Sequence, residues 1–274
     1  MRLLTLRTSN GTRAVRQDGE MLTEIDDYAD VGQLLKNPAW IQIARAADGE
    51  RHDLASADLA AVVPSPGKII CVGLNYRTHI LEMGRELPEF PTLFSKFAET
   101  LIGANDDIEL PAEDKAVDWE AELAVIIGTP ARRVSEVDAP TYIAGYSICN
   151  DVSMRTWQFR TVEWLQGKNW ERSTPLGPAL VTPDEFQPGG TIRSLVNGEM
   201  MQEASTGDLV HDPAFLVSYI SKMITLNPGD VIITGTPGGV GHARKPQRYL
   251  SNGELLTTSI DGLGELSNRA VARS

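Results

Sequence analysis

The apolar segments of this chain are short, and glycine or proline closes most of them. KIICVG (68–73) ends on Gly73, the stretch from Trp119 to Ile127 ends at Gly128, and Asn227-Pro228-Gly229-Asp230 separates a helical pattern from the strand VIIT (231–234). The 24 glycines and 16 prolines are spread along all 274 residues without a low-complexity tract. Glycine tolerates positive φ and proline presets a turn, so this punctuation suits a strand-rich fold rather than a helical bundle. Strands and helices do not alternate regularly, which argues against a doubly wound sheet or an eightfold barrel. The expectation is an α+β, strand-rich fold.

Local signals place the elements. Asn10-Gly11, Asp18-Gly19 and Asn197-Gly198 favour hairpins. Helices are expected at 31–35, at 75–86 with Asn75 as cap, and at 151–160 with Asp151 near the start. Another is expected at 213–223, where Asp212 caps, Pro213 fits the first turn, and Leu216, Ile220 and Met223 share a face. Pro64-Ser65-Pro66-Gly67 reads as a boundary. It divides a small N-terminal domain (1–62) from a large domain (63–274).

Composition excludes several classes of function. With 25 Lys+Arg against 37 Asp+Glu, the formal charge is −12, the wrong field for a nucleic acid. No apolar run reaches the roughly 18 residues of a membrane span, and MRLLTLRTSN has no secretory core, so a cytoplasmic protein without a membrane partner is expected. Cys71 and Cys149 sit in apolar runs and read as buried free thiols. No C-x-x-C, H-E-x-x-H or G-x-S-x-G occurs, so a zinc ribbon, a zinc protease and a serine esterase lack support.

Four groupings could carry chemistry. Glu120 and Glu122 are two apart on a strand, so their carboxylates share a face. That is the spacing of a solvated strand face, or of a pair converging on a hard cation that takes a third oxygen from elsewhere. Asp151 follows an apolar strand and reads as a helix cap that could also ligate. His79 and Glu82 are helix neighbours, as in a surface ion pair or in a base with its orienting acid. TGTPGGVG (234–241) lacks the Lys-Ser/Thr of a phosphate loop; it is a tight turn, or a nest of amides for an anion. Nothing local singles out Lys168.

Taken in order, VGLNYRTHILEMG, PTLFSKF, VDWEAELAVIIG, GYSICNDVSMRTWQ, QGKNWERSTPLGP, VNGEMMQ, LNPGDVIITGTPGGVG and SIDGLGELSNRAV resemble the fumarylacetoacetate hydrolase family, from about Lys68 to Asn268. The resemblance implies a mixed β-sheet roll as catalytic domain, behind a small N-terminal domain. It implies Mg²⁺ or Mn²⁺ held by Glu120, Glu122 and Asp151, with His79, Glu82 and Lys168 as catalytic residues and a homodimer as assembly. Gly235 and Thr236 of the T-G-T-P loop would hold the pyruvate end of a 2-oxo acid, and Arg77 and Arg85 a distal carboxylate. The segment 77–97 would close as a lid. One departure stands out. Many members read S-A-R-D after the metal Asp, whereas Ser153-Met154-Arg155-Thr156 keeps the arginine and loses the acid.

The implied reaction is metal-dependent hydrolysis of a C–C bond in an acylpyruvate of the fumarylpyruvate or maleylpyruvate class, in aromatic-compound catabolism. His79, oriented by Glu82, would activate water, and Lys168 would offset the acidic ligand set. The same enolate serves an isomerase or tautomerase of 2-hydroxyhepta-2,4-diene-1,7-dioate type, or an oxaloacetate decarboxylase. A non-catalytic ligand-binding protein on the same scaffold is the alternative of a different class.

Overall fold

The computed structural model describes residues 1–82, 84 and 86–273, with Glu82 described by its backbone alone. Strands dominate, as the punctuation predicts. An eleven-stranded mixed sheet runs Arg51–Asp53, Met21–Glu24, Gly11–Asp18, Arg2–Thr8, Thr174–Val181, Ile143–Asn150, Ala121–Ile127, Val231–Ile233, Ile69–Gly73 and Thr92–Lys96, with Leu101–Ile102 joined to Thr174–Val181. A five-stranded sheet runs Glu199–Ser205, Thr191–Val196, Leu255–Ile260, Gly264–Ala272 and Ile108–Leu110. The strands of residues 2–53 continue the large sheet, because Arg2 and Leu3 register against Val181 and Leu180.

The strand Ala121–Ile127 shows why the middle of the sheet is apolar on both faces. Ala121, Leu123, Val125 and Ile127 face one buried cluster, and Ala124 and Ile126 face another. This is the period of two expected of a strand covered on both sides. Each Leu, Val or Ile buried here contributes about 1.5–3 kcal/mol. Glu122, two residues before Ala124, therefore sits where burial favours an apolar side chain.

The hairpin signals hold. Asn197 and Gly198 take φ of 50° and 81° between Thr191–Val196 and Glu199–Ser205. The helices Val31–Leu35 and Pro213–Met223 also form where expected, the latter with the Asp212 carboxylate accepting from Phe215 N–H. Met223 departs from its expected face: it is 58% exposed, while Leu216 and Ile220 are buried. The helix expected at 75–86 spans Arg77–Glu82, and Asn75 does not cap it. Asn75 instead donates to the carbonyls of His211 and Thr234 and accepts from His211 N–H, while the Asp208 carboxylate accepts from Thr78 N–H. The helix expected at 151–160 is Arg155–Gln158, preceded by the short strand Ser153–Met154. Asp151 is thus no cap, and its carboxylate is committed elsewhere.

Candidate active site

Register delivers the acidic residues to one place. Ala121 pairs with Asn150 and Glu122 with Cys149, so the chain leaving one strand and entering the other carries Glu120 beside Asp151. Asp151 N–H donates to the Glu120 carbonyl at 2.8 Å, and the Asn150 side chain accepts from Glu120 N–H at 2.9 Å. Glu120, Glu122 and Asp151 are all buried, and each offers an oxygen within 4.8 Å of the others. Glu120 precedes the strand rather than lying on it, so convergence comes from the strand entry and not from strand periodicity alone.

Three cationic side chains surround the cluster. Lys168 Nζ donates to Glu120 Oε2 and to Asp151 Oδ2, both at 2.7 Å. Lys96 Nζ lies 2.8 Å from Asp151 Oδ1, without the alignment of a hydrogen bond. Arg155 reaches Glu120 Oε1 at 2.7 Å and Asp118 Oδ2 at 2.8 Å. Burial by itself would strip the proton from Lys168, but Asp151 and Glu120 outweigh it and hold the ammonium above its ordinary range. Burial would likewise raise Asp151, yet Lys168 and Lys96 hold its carboxyl below the usual range. Glu122 differs. Burial first, then the charges of Asp151 and Glu120, push its carboxyl well above the usual range, against Lys168 and a hydrogen bond from Gly235 N–H.

This donor set fits a hard divalent cation. Three buried carboxylates converge, and the hydrogen bond Glu122 accepts comes from a backbone amide rather than a cationic side chain. Oxygen ligands of this kind suit Mg²⁺ or Mn²⁺. Asp118 and the triad set four carboxylates against Lys96, Lys168 and Arg155, so a bound divalent cation would leave the cluster cationic. That reverses the charge balance expected from the three acids alone.

A cavity of about 290 Å³ opens onto the cluster. Its floor is Glu120, Glu122 and Lys168, and its walls include Phe94, Phe159, Trp164 and Val240. Gly73 makes room for this wall: a Cβ there would stand 2.4 Å from the Trp164 ring. Thr236 comes from the loop that follows Val231–Ile233. Gln202 Nε2 donates to Thr236 Oγ1 at 2.8 Å, which leaves the Thr236 O–H as a donor. His79 lines the same cavity and lies against the loop, where a Cβ on Gly238 would approach His79 Nδ1 to 2.9 Å.

Residues 68–271 match the fumarylacetoacetate (FAA) hydrolase C-terminal family. The chain belongs to this family. A mitochondrial oxaloacetate tautomerase of Xenopus laevis is 42% identical over 238 residues, covering 84% of this chain and 75% of that protein. The crystal structure of a 5-carboxymethyl-2-hydroxymuconate delta-isomerase from Mycobacterium smegmatis superposes with a TM-score of 0.83 at 33% identity, covering 100% of both chains. A maleylpyruvate hydrolase from Sphingobium sp. SYK-6 superposes with a TM-score of 0.81 at 28% identity, again over 100% of both chains.

Within the family frame, the structure gathers Glu120, Glu122, Asp151, Lys168, His79 and Thr236 around one cavity, with Gly235 joined to Glu122 through its N–H. Arg77 is exposed and does not line the cavity. Arg85 and the Glu82 side chain lie outside the described residues. Lys96, Arg155, Asp118, Gln202 and His242, the last lining the cavity, carried no role in the sequence. Lys96 had a signal, a lysine closing the apolar strand TLFSK. The acid missing after Arg155 is supplied by Asp118 and Glu120, from a different segment.

Proposed function

We propose that this protein is a divalent-metal-dependent enolate enzyme that interconverts the keto and enol forms of a 2-oxo acid of oxaloacetate type. The observation that carries this reading is the buried triad Glu120–Glu122–Asp151 with Lys168 held charged across two of its members. Likeness to oxaloacetate tautomerases over 84% of the chain supports it. Mg²⁺ or Mn²⁺ at the triad would supply Lewis-acid stabilisation of an enolate oxygen.

The chain's own groups do the rest. Lys168, locked as an ammonium, is an electrostatic stabiliser and not a base. The Thr236 hydroxyl, turned donor by Gln202, hydrogen-bonds the substrate carboxylate. Phe94, Phe159 and Trp164 set an apolar wall over the charged floor, so that substrate packed against it would displace water and strengthen each electrostatic contact there. His79, at the cavity edge, moves the proton at C3.

Hydrolysis of an acylpyruvate is the second reading. It is favoured by His79 at the cavity edge and by the likeness to a maleylpyruvate hydrolase. The two are separated by following the ultraviolet absorbance of enol-oxaloacetate and the cleavage of an acylpyruvate in parallel, with Mg²⁺ or Mn²⁺ and after chelation. Faster loss of the enol signal that chelation abolishes supports the tautomerase. Pyruvate release from the acylpyruvate without any effect on the enol overturns it in favour of the hydrolase.

A further inference from the structure

His242 closes the Gly-rich loop and lines the same cavity as Glu120, Lys168 and Thr236. Its backbone is fixed from the floor. The buried Asp118 carboxylate accepts from Gly241 N–H at 2.6 Å and from His242 N–H at 2.9 Å. Arg155 then spans from Asp118 to Glu120, so His242 stands at a set distance from the triad. Gly241 is obligatory in this arrangement: a Cβ there would lie 1.8 Å from the Arg248 carbonyl and 2.8 Å from Asp118 Oδ1.

The ring is held as firmly as the backbone. Phe159 lies against it, with centroids 5.0 Å apart and planes inclined by 33°. His242 Nδ1 is 2.9 Å from the Tyr249 hydroxyl and 3.4 Å from Gln247 Nε2. An amide nitrogen donates only, so the Gln247 contact makes Nδ1 an acceptor, and the Tyr249 hydroxyl, which can donate or accept, is able to match it. With Nδ1 as the acceptor, the neutral ring carries its proton on Nε2. Nε2 has no protein partner among the described residues. The neighbouring wall, Phe159, Val240 and Ala243, is apolar, whereas Arg155 and Lys168 are already engaged by carboxylates.

We infer that His242 is the specificity-determining residue for the far end of the substrate, donating from Nε2 to the second carboxylate of a 2-oxo dicarboxylate whose 2-oxo acid end lies over the triad. The inference rests on the enolate-enzyme reading and narrows its substrate class. A hydrogen bond to a charged group is worth roughly ten- to a hundredfold in affinity. A monofunctional chelator that reads the floor alone gains nothing from it.

Oxalate supplies that control, because it presents two adjacent carboxylates and no distal group. In the Mn²⁺-loaded protein, His242→Leu is expected to raise KM for oxaloacetate about tenfold or more, with kcat changed less than threefold. The Kd for oxalate, from calorimetry, is expected to stay within twofold. His242→Gln places an amide N–H near the position of Nε2 and is expected to restore most of the affinity. If His242→Leu fails to fold, Tyr249→Phe serves instead, with a smaller rise in KM and unaltered oxalate binding. An unchanged KM, or a parallel weakening of oxaloacetate and oxalate, overturns the inference and leaves the enolate reading standing. Wild-type protein that neither binds oxalate nor acts on oxaloacetate overturns both.

Discussion

At the scale of single residues, the site is an exercise in burying charge. Glu122 occupies a strand position between apolar neighbours and is fully enclosed, a placement that costs several kcal/mol unless a cation or hydrogen bonds offset it. Glu122→Gln should therefore weaken Mn²⁺ binding by at least about a hundredfold, since even orienting partners of ligands are worth 10–100-fold. Titration calorimetry with Mn²⁺ measures this directly. Lys168 gives a complementary test. Lys168→Met leaves Glu120 and Asp151 without the ammonium between them, and breaking a buried ion pair costs about 3–5 kcal/mol. The melting temperature of the metal-free variant should fall and recover substantially with Mn²⁺, while turnover stays low. A melt with and without the ion reads the first effect and the enol assay the second.

At the scale of elements, the loop 234–241 is tied to the acidic segment at both ends. Gly235 N–H bonds Glu122, and Gly241 N–H bonds Asp118. Four of its glycines, Gly235, Gly238, Gly239 and Gly241, are needed because other groups occupy the space of a side chain. Beside Gly238 that group is His79, from the helix Arg77–Glu82, which Asn75 and Asp208 fasten to the chain around 208–211. Gly238→Ala should push His79 out of place. A misplacement near 1 Å costs on the order of a hundredfold in rate. The expected result is a fall in kcat with Mn²⁺ affinity unchanged, read by steady-state kinetics beside calorimetry. An equal loss of metal affinity would show that the loop, not His79, had moved.

At the scale of the whole molecule, the first strand is bound to distant segments by charge as well as by the sheet. Arg7 donates to Asp106 and to Asp58, and Asp106 also accepts from Gly103 N–H. Burial alone would raise the Asp106 carboxyl, but Arg7 and the Gly103 amide bring it below its usual range. A carboxyl lowered by folding stabilises above its unfolded pKa and loses that contribution as pH falls through its folded value. The pair is part-exposed, so Arg7→Ala should cost about 1 kcal/mol at neutral pH. Urea midpoints of wild type and variant should converge as acid takes pH through and below the carboxylate range.

No helix among the described residues is long and apolar enough to cross a membrane. The strand-rich class, the hairpins at Asn-Gly and the helix after Asp212 were legible in the residues, because turn chemistry and hydrophobic period act locally. The grouping of Glu120, Glu122 and Asp151 was legible only through a resemblance to known motifs. Spacing left it equal to a solvated strand face, since two acids on a strand say nothing of what lies opposite. Tertiary structure decided the rest. The pairing of Ala121 with Asn150 sets Asp151 beside Glu120, and Lys96, Lys168 and Arg155 arrive from three further segments. Asp151 looked like a helix cap because its carboxylate follows the strand and precedes a helix; that carboxylate instead meets the buried Lys96 and Lys168, which come from other segments. Sequence by itself determined which groups could bear charge and where the chain must turn. Only the fold decided which charges meet, because that depends on strand register between segments with no local signal for one another.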